Sequence, residues 1–93
     1  MLNYKPKLSP NVLRKFEPKL ELFCFYNAKN KTFWNCDFPT GTIIANLDGT
    51  LEIQEILEII LTNNKNIDQN KLKNSLLETF EILLNEEFLI NAN

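Results

Sequence analysis

Residues 39–56 read PTGTIIANLDGTLEIQEI, and no other stretch constrains the fold as much. A short apolar run follows Thr40-Gly41, breaks at Leu47-Asp48-Gly49, and restarts at once with helical spacing. Asp37 stands where an N-cap is wanted, and Pro39 falls in the first turn, where its missing N–H costs nothing. Gly49 supplies the left-handed conformation that ends helices. The pattern predicts two short helices, over residues 39–47 and 51–61. The second carries Ile53, Ile56, Leu57, Ile60 and Leu61 on one face.

The flanks complete the layout. Residues 20–26 (LELFCFY) are rich in aromatic and branched side chains, as strands are. Residues 27–30 are turn formers, and residues 31–36 (KTFWNC) read as the returning strand of a hairpin. A short first strand is expected over residues 12–16. Residues 1–11 are polar, contain Pro6 and Pro10, and are expected to be a mobile or loosely docked arm. Beyond a loop at residues 62–66, Asp68 caps a third and longest helix reaching Asn85, with Leu72, Leu76, Phe80, Leu83 and Leu84 inward. Phe88-Leu89-Ile90 is too apolar for a free tail and should fold back onto the core. The fold class is therefore α+β and winged-helix-like, a three-stranded antiparallel sheet followed by three helices. A flexible N-terminal arm (1–11) precedes one domain (12–93), and 93 residues suffice for a single modest core.

Much chemistry is excluded. The chain has no His, which removes the usual general base and the commonest metal ligand, and its two Cys alone make a poor zinc site. Gly41 and Gly49 are isolated, so no glycine-rich phosphate loop exists. Glu52, Glu55, Glu58, Glu78, Glu81, Glu86 and Glu87 lie where amphipathic helices expose a solvated face. No catalytic residue, metal or cofactor is expected, and the protein is not read as an enzyme. No apolar run approaches the ~20 residues of a membrane span, and the N-terminus lacks a signal-peptide core, so a cytoplasmic protein without membrane contact is expected. Residues 1–36 carry seven Lys/Arg against two Asp/Glu, whereas residues 37–93 carry three against ten. Helices that read nucleic acid need cations to displace counterions from phosphate, and here the helical half is the acidic one. A hairpin centred near Asn30 would set Cys24 and Cys36 opposite each other on one face, leaving a disulfide geometrically open to them. In a reducing cytosol they read instead as two small buried hydrophobes.

The succession Phe33-Trp34, Asp37, Thr40-Gly41, Leu47-Asp48-Gly49, Ile53-Gln54-Glu55-Ile56, Ile67-Asp68 and Phe88-Leu89-Ile90 resembles the PqqD-like family, the peptide chaperones and RiPP recognition elements. The resemblance spans residues 12–90. It implies a non-catalytic protein that captures the leader of a ribosomally synthesised precursor peptide and presents it to a separate RiPP-modifying enzyme. In that family the leader adds as a strand to the free edge of the third strand and lies between it and the third helix. Carried onto this sequence, the edge is Thr32, Phe33, Trp34, Asn35 and Cys36. The helical wall is Lys71, Ser75, Thr79 and Ile82, with Ser75, Thr79 and Ile82 forming a shallow apolar pocket and Lys71 able to pair with an acid. Two departures stand out. Glu52 occupies the place of a capping Thr, so Thr50 is expected to cap helix two. Glu87 stands where the family often has Gly, so Asn85 is expected to end helix three.

A second reading uses the sheet. If Leu22, Cys24, Tyr26, Trp34 and Cys36 face the helices, then Phe23, Phe25 and Phe33 share the opposite face. Three phenylalanines on one exposed face would form a patch that is either covered by the N-terminal arm or used to dock a modifying enzyme or a second copy of the chain. The alternative function is accordingly a winged-helix adaptor or dimerisation module, and the acidic third helix disfavours a DNA-binding regulator.

Overall fold

The structure, a computed structural model, describes residues 2–92. Met1 and Asn93, the outer ends of the two spans expected above, lie outside the described residues. The elements run β1 (Pro6–Leu8), β2 (Val12–Glu17), β3 (Leu22–Asn27), β4 (Thr32–Asp37), α1 (Phe38–Ala45), α2 (Ile53–Thr62), α3 (Gln69–Asn85) and β5 (Leu89–Asn91). Strands β2, β3 and β4 form one antiparallel sheet in that order, and β1 pairs with β5 in a second. An α+β fold with a three-stranded sheet followed by three helices is thus what the chain adopts.

The N-terminal segment is not a loose arm. Pro6 is fully buried, and β1 pairs residue for residue with β5, Leu8 opposite Leu89. Upstream, the carbonyls of Tyr4 and Leu2 accept from Ile53 N at 2.9 Å and Gln54 N at 3.1 Å. These are first-turn amides of α2, which have no partner inside their own helix. The segment docks through its backbone, its carbonyls capping a helix and its strand completing a sheet. Composition reads such residues as free. The Phe88-Leu89-Ile90 tail does fold back, with Phe88 and Leu89 buried beside this strand.

Helix ends follow the sequence in most places. Asp37 accepts from Thr40 N at 2.9 Å, and Asp68 accepts from Asn70 N and Lys71 N at 3.0 and 3.2 Å. Gly49 is left-handed (φ 85°), but it lies beyond the end of α1, where its N–H donates to the Pro6 carbonyl at 3.1 Å. Asn46 is the residue that closes α1, its side chain donating to Thr42 O at 2.7 Å. Glu52, not Thr50, takes the cap position of α2, its N–H donating to Glu55 Oε1 at 3.0 Å. Thr50 is occupied by Asp48, to which both its N–H and its hydroxyl donate. Helix α3 ends at Asn85, and Glu87 adopts the left-handed φ of 60° that glycine usually supplies. The amides of Phe88 and Glu87 then close back on Leu83 O and Leu84 O at 2.9 and 3.2 Å, the two bonds of a Schellman motif.

One sheet expectation is overturned. The β3–β4 turn spans residues 28–31, with Lys31 left-handed (φ 59°), so Asn27 pairs with Thr32, Phe25 with Trp34 and Phe23 with Cys36. The hairpin is centred half a residue earlier than expected, which moves β3 by one place relative to β4 and exchanges its faces. Phe23 and Phe25 therefore face the helices with Trp34 and Cys36, and Phe25 is only 1% exposed. Phe25 stacks on Phe23 at 5.1 Å and meets Trp34 at 5.5 Å, within a core built from Ile44, Ile53, Ile56, Ile60, Phe80, Leu83 and Leu89. Phe23 lies so close under α1 that a Cβ on Gly41 would stand 2.2 Å from its own Cβ. Cys24 pairs with Asn35, one place away from Cys36, so the two cysteines project from opposite faces and stay free.

Candidate peptide-binding edge

Strand β4 pairs with β3 on one side and with no strand on the other among the described residues. Which of its backbone groups face outward follows from one hydrogen bond. Ala28 N donates across to Asn11 O at 3.0 Å, so Ala28 turns its peptide groups toward β2. In an antiparallel strand alternate residues turn both groups the same way. Residues 22, 24 and 26 then bond to β2, and residues 23, 25 and 27 bond to β4. Their partners Cys36, Trp34 and Thr32 spend their N–H and C=O groups on β3. Phe33 and Asn35 are left pointing theirs to the open edge.

Side chains alternate with the same parity. Thr32, Trp34 and Cys36 are half-buried on the helix side, whereas Phe33 and Asn35 are exposed on the outer face. Phe33 is 73% exposed and rests against Tyr26, ring centres 4.7 Å apart. Leu13, Tyr26 and Phe33 stand abreast across the three strands. The thiol of Cys36 is pushed up to about 12, first by burial and then by the charges of Asp37 and Cys24. It is a protonated, inert wall of the edge at neutral pH.

The end of β3 and its turn into β4 are clamped to the residues that follow α3. Asn27 is completely buried, and its Nδ2 donates to Glu86 O and Glu87 O at 3.0 and 3.1 Å while its Oδ1 accepts from Lys29 N at 3.0 Å. Asn30 Nδ2 adds a bond to Glu86 O at 2.9 Å, and Lys29 pairs with Glu87 at 2.5 Å. The hairpin turn thereby satisfies the terminal carbonyls of α3, which otherwise have no partner. Sequence reading missed Asn27, taking it for an ordinary turn former. An Asn followed by polar turn residues carries no mark of burial.

On α3 the core stripe is Leu76, Phe80 and Leu83. One flank looks toward the N-terminal segment: Glu81, Leu84 and Asn85 line a cleft with Tyr4, and Lys73 lines another with Leu2 and α2. Ser75, Thr79 and Ile82 occupy the other flank, Ile82 being 52% exposed. The Thr79 hydroxyl donates to Ser75 O at 2.9 Å, so its methyl group is what remains for contact. Lys71 is exposed in the first turn. Of the two residues expected on a docking face, Phe25 is buried in the core and Phe23 is partly buried against it on the helix side. Among the described residues, no group of three or more His, Cys, Asp or Glu is placed to hold a metal, and no helix is long and apolar enough to cross a membrane.

No protein-family model matches the chain, and no curated protein matches it in sequence. Among solved structures, that of TbiB1 in complex with the TbiA(beta) leader peptide matches with a TM-score of 0.67. The match covers 89% of this chain and 93% of TbiB1 at 19% identity. At that identity the likeness concerns the backbone arrangement, and this chain shares its fold with a protein solved with a leader peptide bound.

Proposed function

We propose that this protein captures the leader of a ribosomally synthesised precursor peptide as an added strand on the free edge of β4, between β4 and α3, and presents it to a separate modifying enzyme. The observation that carries the reading is the open edge itself, offered by a fold in common with TbiB1. Phe33 and Asn35 would supply the backbone bonds, since their N–H and C=O groups face outward. Backbone pairing gives generic affinity, and side-chain pockets give choice. Residues of the added strand on the helix side would lie beside Trp34 and against Ser75, Thr79 and Ile82. Those on the outer side would lie beside Phe33. Lys71 would meet an acidic residue of the leader. An unpaired edge invites aggregation unless it is covered or used, which favours a ligand here. The protein itself does no chemistry in this reading, which accords with a chain that has no His.

One observation favours a second reading, an adaptor that dimerises through its sheet. The outer face carries the apolar row Leu13, Tyr26 and Phe33, with Leu13 65% exposed. Titration of ¹⁵N-labelled protein with the leader of a precursor peptide encoded beside its gene separates the two. Saturable amide shifts centred on Phe33 and Asn35, extending to Thr79 and Ile82, are the expected result. A folded protein with no shift at several times the concentration needed for micromolar binding refutes leader capture. Concentration-dependent shifts at Leu13 and Tyr26 without peptide would then support the adaptor.

A further inference from the structure

At the end of the sheet remote from the hairpin clamp lies a cleft of about 310 Å³, lined by Phe16, Glu21, Asp37, Phe38 and Pro39. Its floor is aromatic. Phe16 and Phe38 touch with ring centres 4.5 Å apart, and both approach Phe23 at 6.3 Å. Phe16 and Phe38 nevertheless remain 38% and 45% exposed, an unusual state for two packed rings. Its rim is acidic. Glu21 and Asp37 are exposed, and neither has an ion-pair partner among the described residues. Asp37 caps α1 through Oδ1 alone, which leaves its second carboxylate oxygen free.

We propose that this cleft takes the Lys or Arg side chain of a bound peptide, so that the peptide partner carries a basic residue just beyond the segment paired with β4. The inference rests on the strand-addition reading above and names the class of peptide it selects. Aromatic faces attract a cation through their quadrupole, and the two carboxylates add a charge that no other class of side chain would meet. The N-terminus of α1 opposes this with about half a positive charge, but two full negative charges outweigh it. Continuity supplies the geometry. Asp37 is both the last residue of the open edge strand and part of the cleft rim. A strand added outside β4 lies three strand spacings, roughly 14 Å, from Phe16 on β2, within reach of four or five residues of a peptide leaving the edge.

The test is selection of a random linear-peptide library against the wild-type protein and against the double variant Glu21→Gln/Asp37→Asn. Asn caps a helix as well as Asp does, and the Glu21 side chain makes no hydrogen bond or ion pair among the described residues, so the variant keeps the structure. The expected result is a wild-type consensus with a branched or aromatic core and a basic residue at a fixed distance from it. Replacing that residue by norleucine should weaken binding about tenfold in the wild type and only about two- to threefold in the variant, which keeps the aromatic faces but not the carboxylates. Enriched peptides that shift the Phe33 and Asn35 amides but lack a basic position, or lose equal affinity in both proteins, overturn the cleft assignment and leave edge binding standing. If no peptide is enriched on either folded protein, strand addition fails and takes this inference with it.

Discussion

Replacing Asn27 by Ala should reveal how much the hairpin clamp contributes. The side chain is fully buried and makes three hydrogen bonds, two as donor to Glu86 O and Glu87 O and one as acceptor from Lys29 N. Each such bond contributes about 0.5–1.5 kcal/mol net, and groups left unpaired in the interior cost more. Glu86 O keeps its bond from Asn30, so the uncompensated losses fall on Glu87 O and Lys29 N. The expected destabilisation is therefore about 3 kcal/mol, roughly 12–24 °C in Tm for a domain of this size. Urea titration followed by Trp34 fluorescence and by far-ultraviolet circular dichroism measures it. Asn27→Asp should be worse than Asn27→Ala, because it buries a carboxylate facing two carbonyls. Asn30→Ala removes three bonds, one to Glu86 O and two from Thr32, but all are exposed and water can replace them, so it should cost only about 1 kcal/mol. A loss below about 1 kcal/mol for Asn27→Ala, or an Asp variant as stable as wild type, would refute the claim that this amide holds the turn to α3.

Further outcomes follow from the same contacts. Gly41→Ala gains about 1 kcal/mol of helix propensity but sets a Cβ 2.2 Å from Phe23 Cβ, which cannot swing away. A net loss of about 2 kcal/mol in urea is expected, and a neutral result would mean that α1 sits farther from β3. Glu87→Gly relieves a left-handed non-glycine residue at the cost of an exposed ion pair with Lys29, and should stabilise by about 0.5–1 kcal/mol in the same assay. With Ellman's reagent near pH 8, folded protein should react at Cys24 and spare Cys36, whose thiol is raised to about 12; equal rates would refute its burial. Asp48 is held below the usual carboxylate range by the hydroxyl and amide of Thr50. Its contribution is present above the ordinary carboxylate pKa and disappears as pH falls through its lowered value. Asp48→Asn should accordingly flatten the acid limb of stability against pH, and an unchanged limb would refute the link.

What could be read from the sequence was whatever local chemistry decides. Asp37 and Asp68 cap helices because a short acid before an apolar-periodic run has few other roles, and both do so here. The three helices, the hairpin and the returning tail followed from periodicity and turn residues. What escaped depended on partners distant in the chain. Polar residues 2–8 look free until their carbonyls are seen serving α2 and their backbone pairing with β5. Asn27 looks like a turn residue until the end of α3, about sixty positions later, is brought to its amide.

The register error is the instructive case, because it bears on function. Residues 22–26 read LFCFY, apolar at every position, so no alternation says which face is inward. The decision falls to the turn, and the turn is settled by Lys31 taking a left-handed φ and by Asn27 having carbonyls to reach inside. Moving β3 by one residue buries Phe25, turns Phe23 to the helix side and removes the outer face expected of them. The free edge survives the same shift, for β4 alternates on its own and lies outermost whichever face of β3 turns inward. A reading founded on strand order tolerates an error in register that a reading founded on side-chain faces does not. That is the physical reason the proposed peptide site rests on the β4 edge, while the outward turn of the Phe33 and Asn35 backbone within it follows from the observed register.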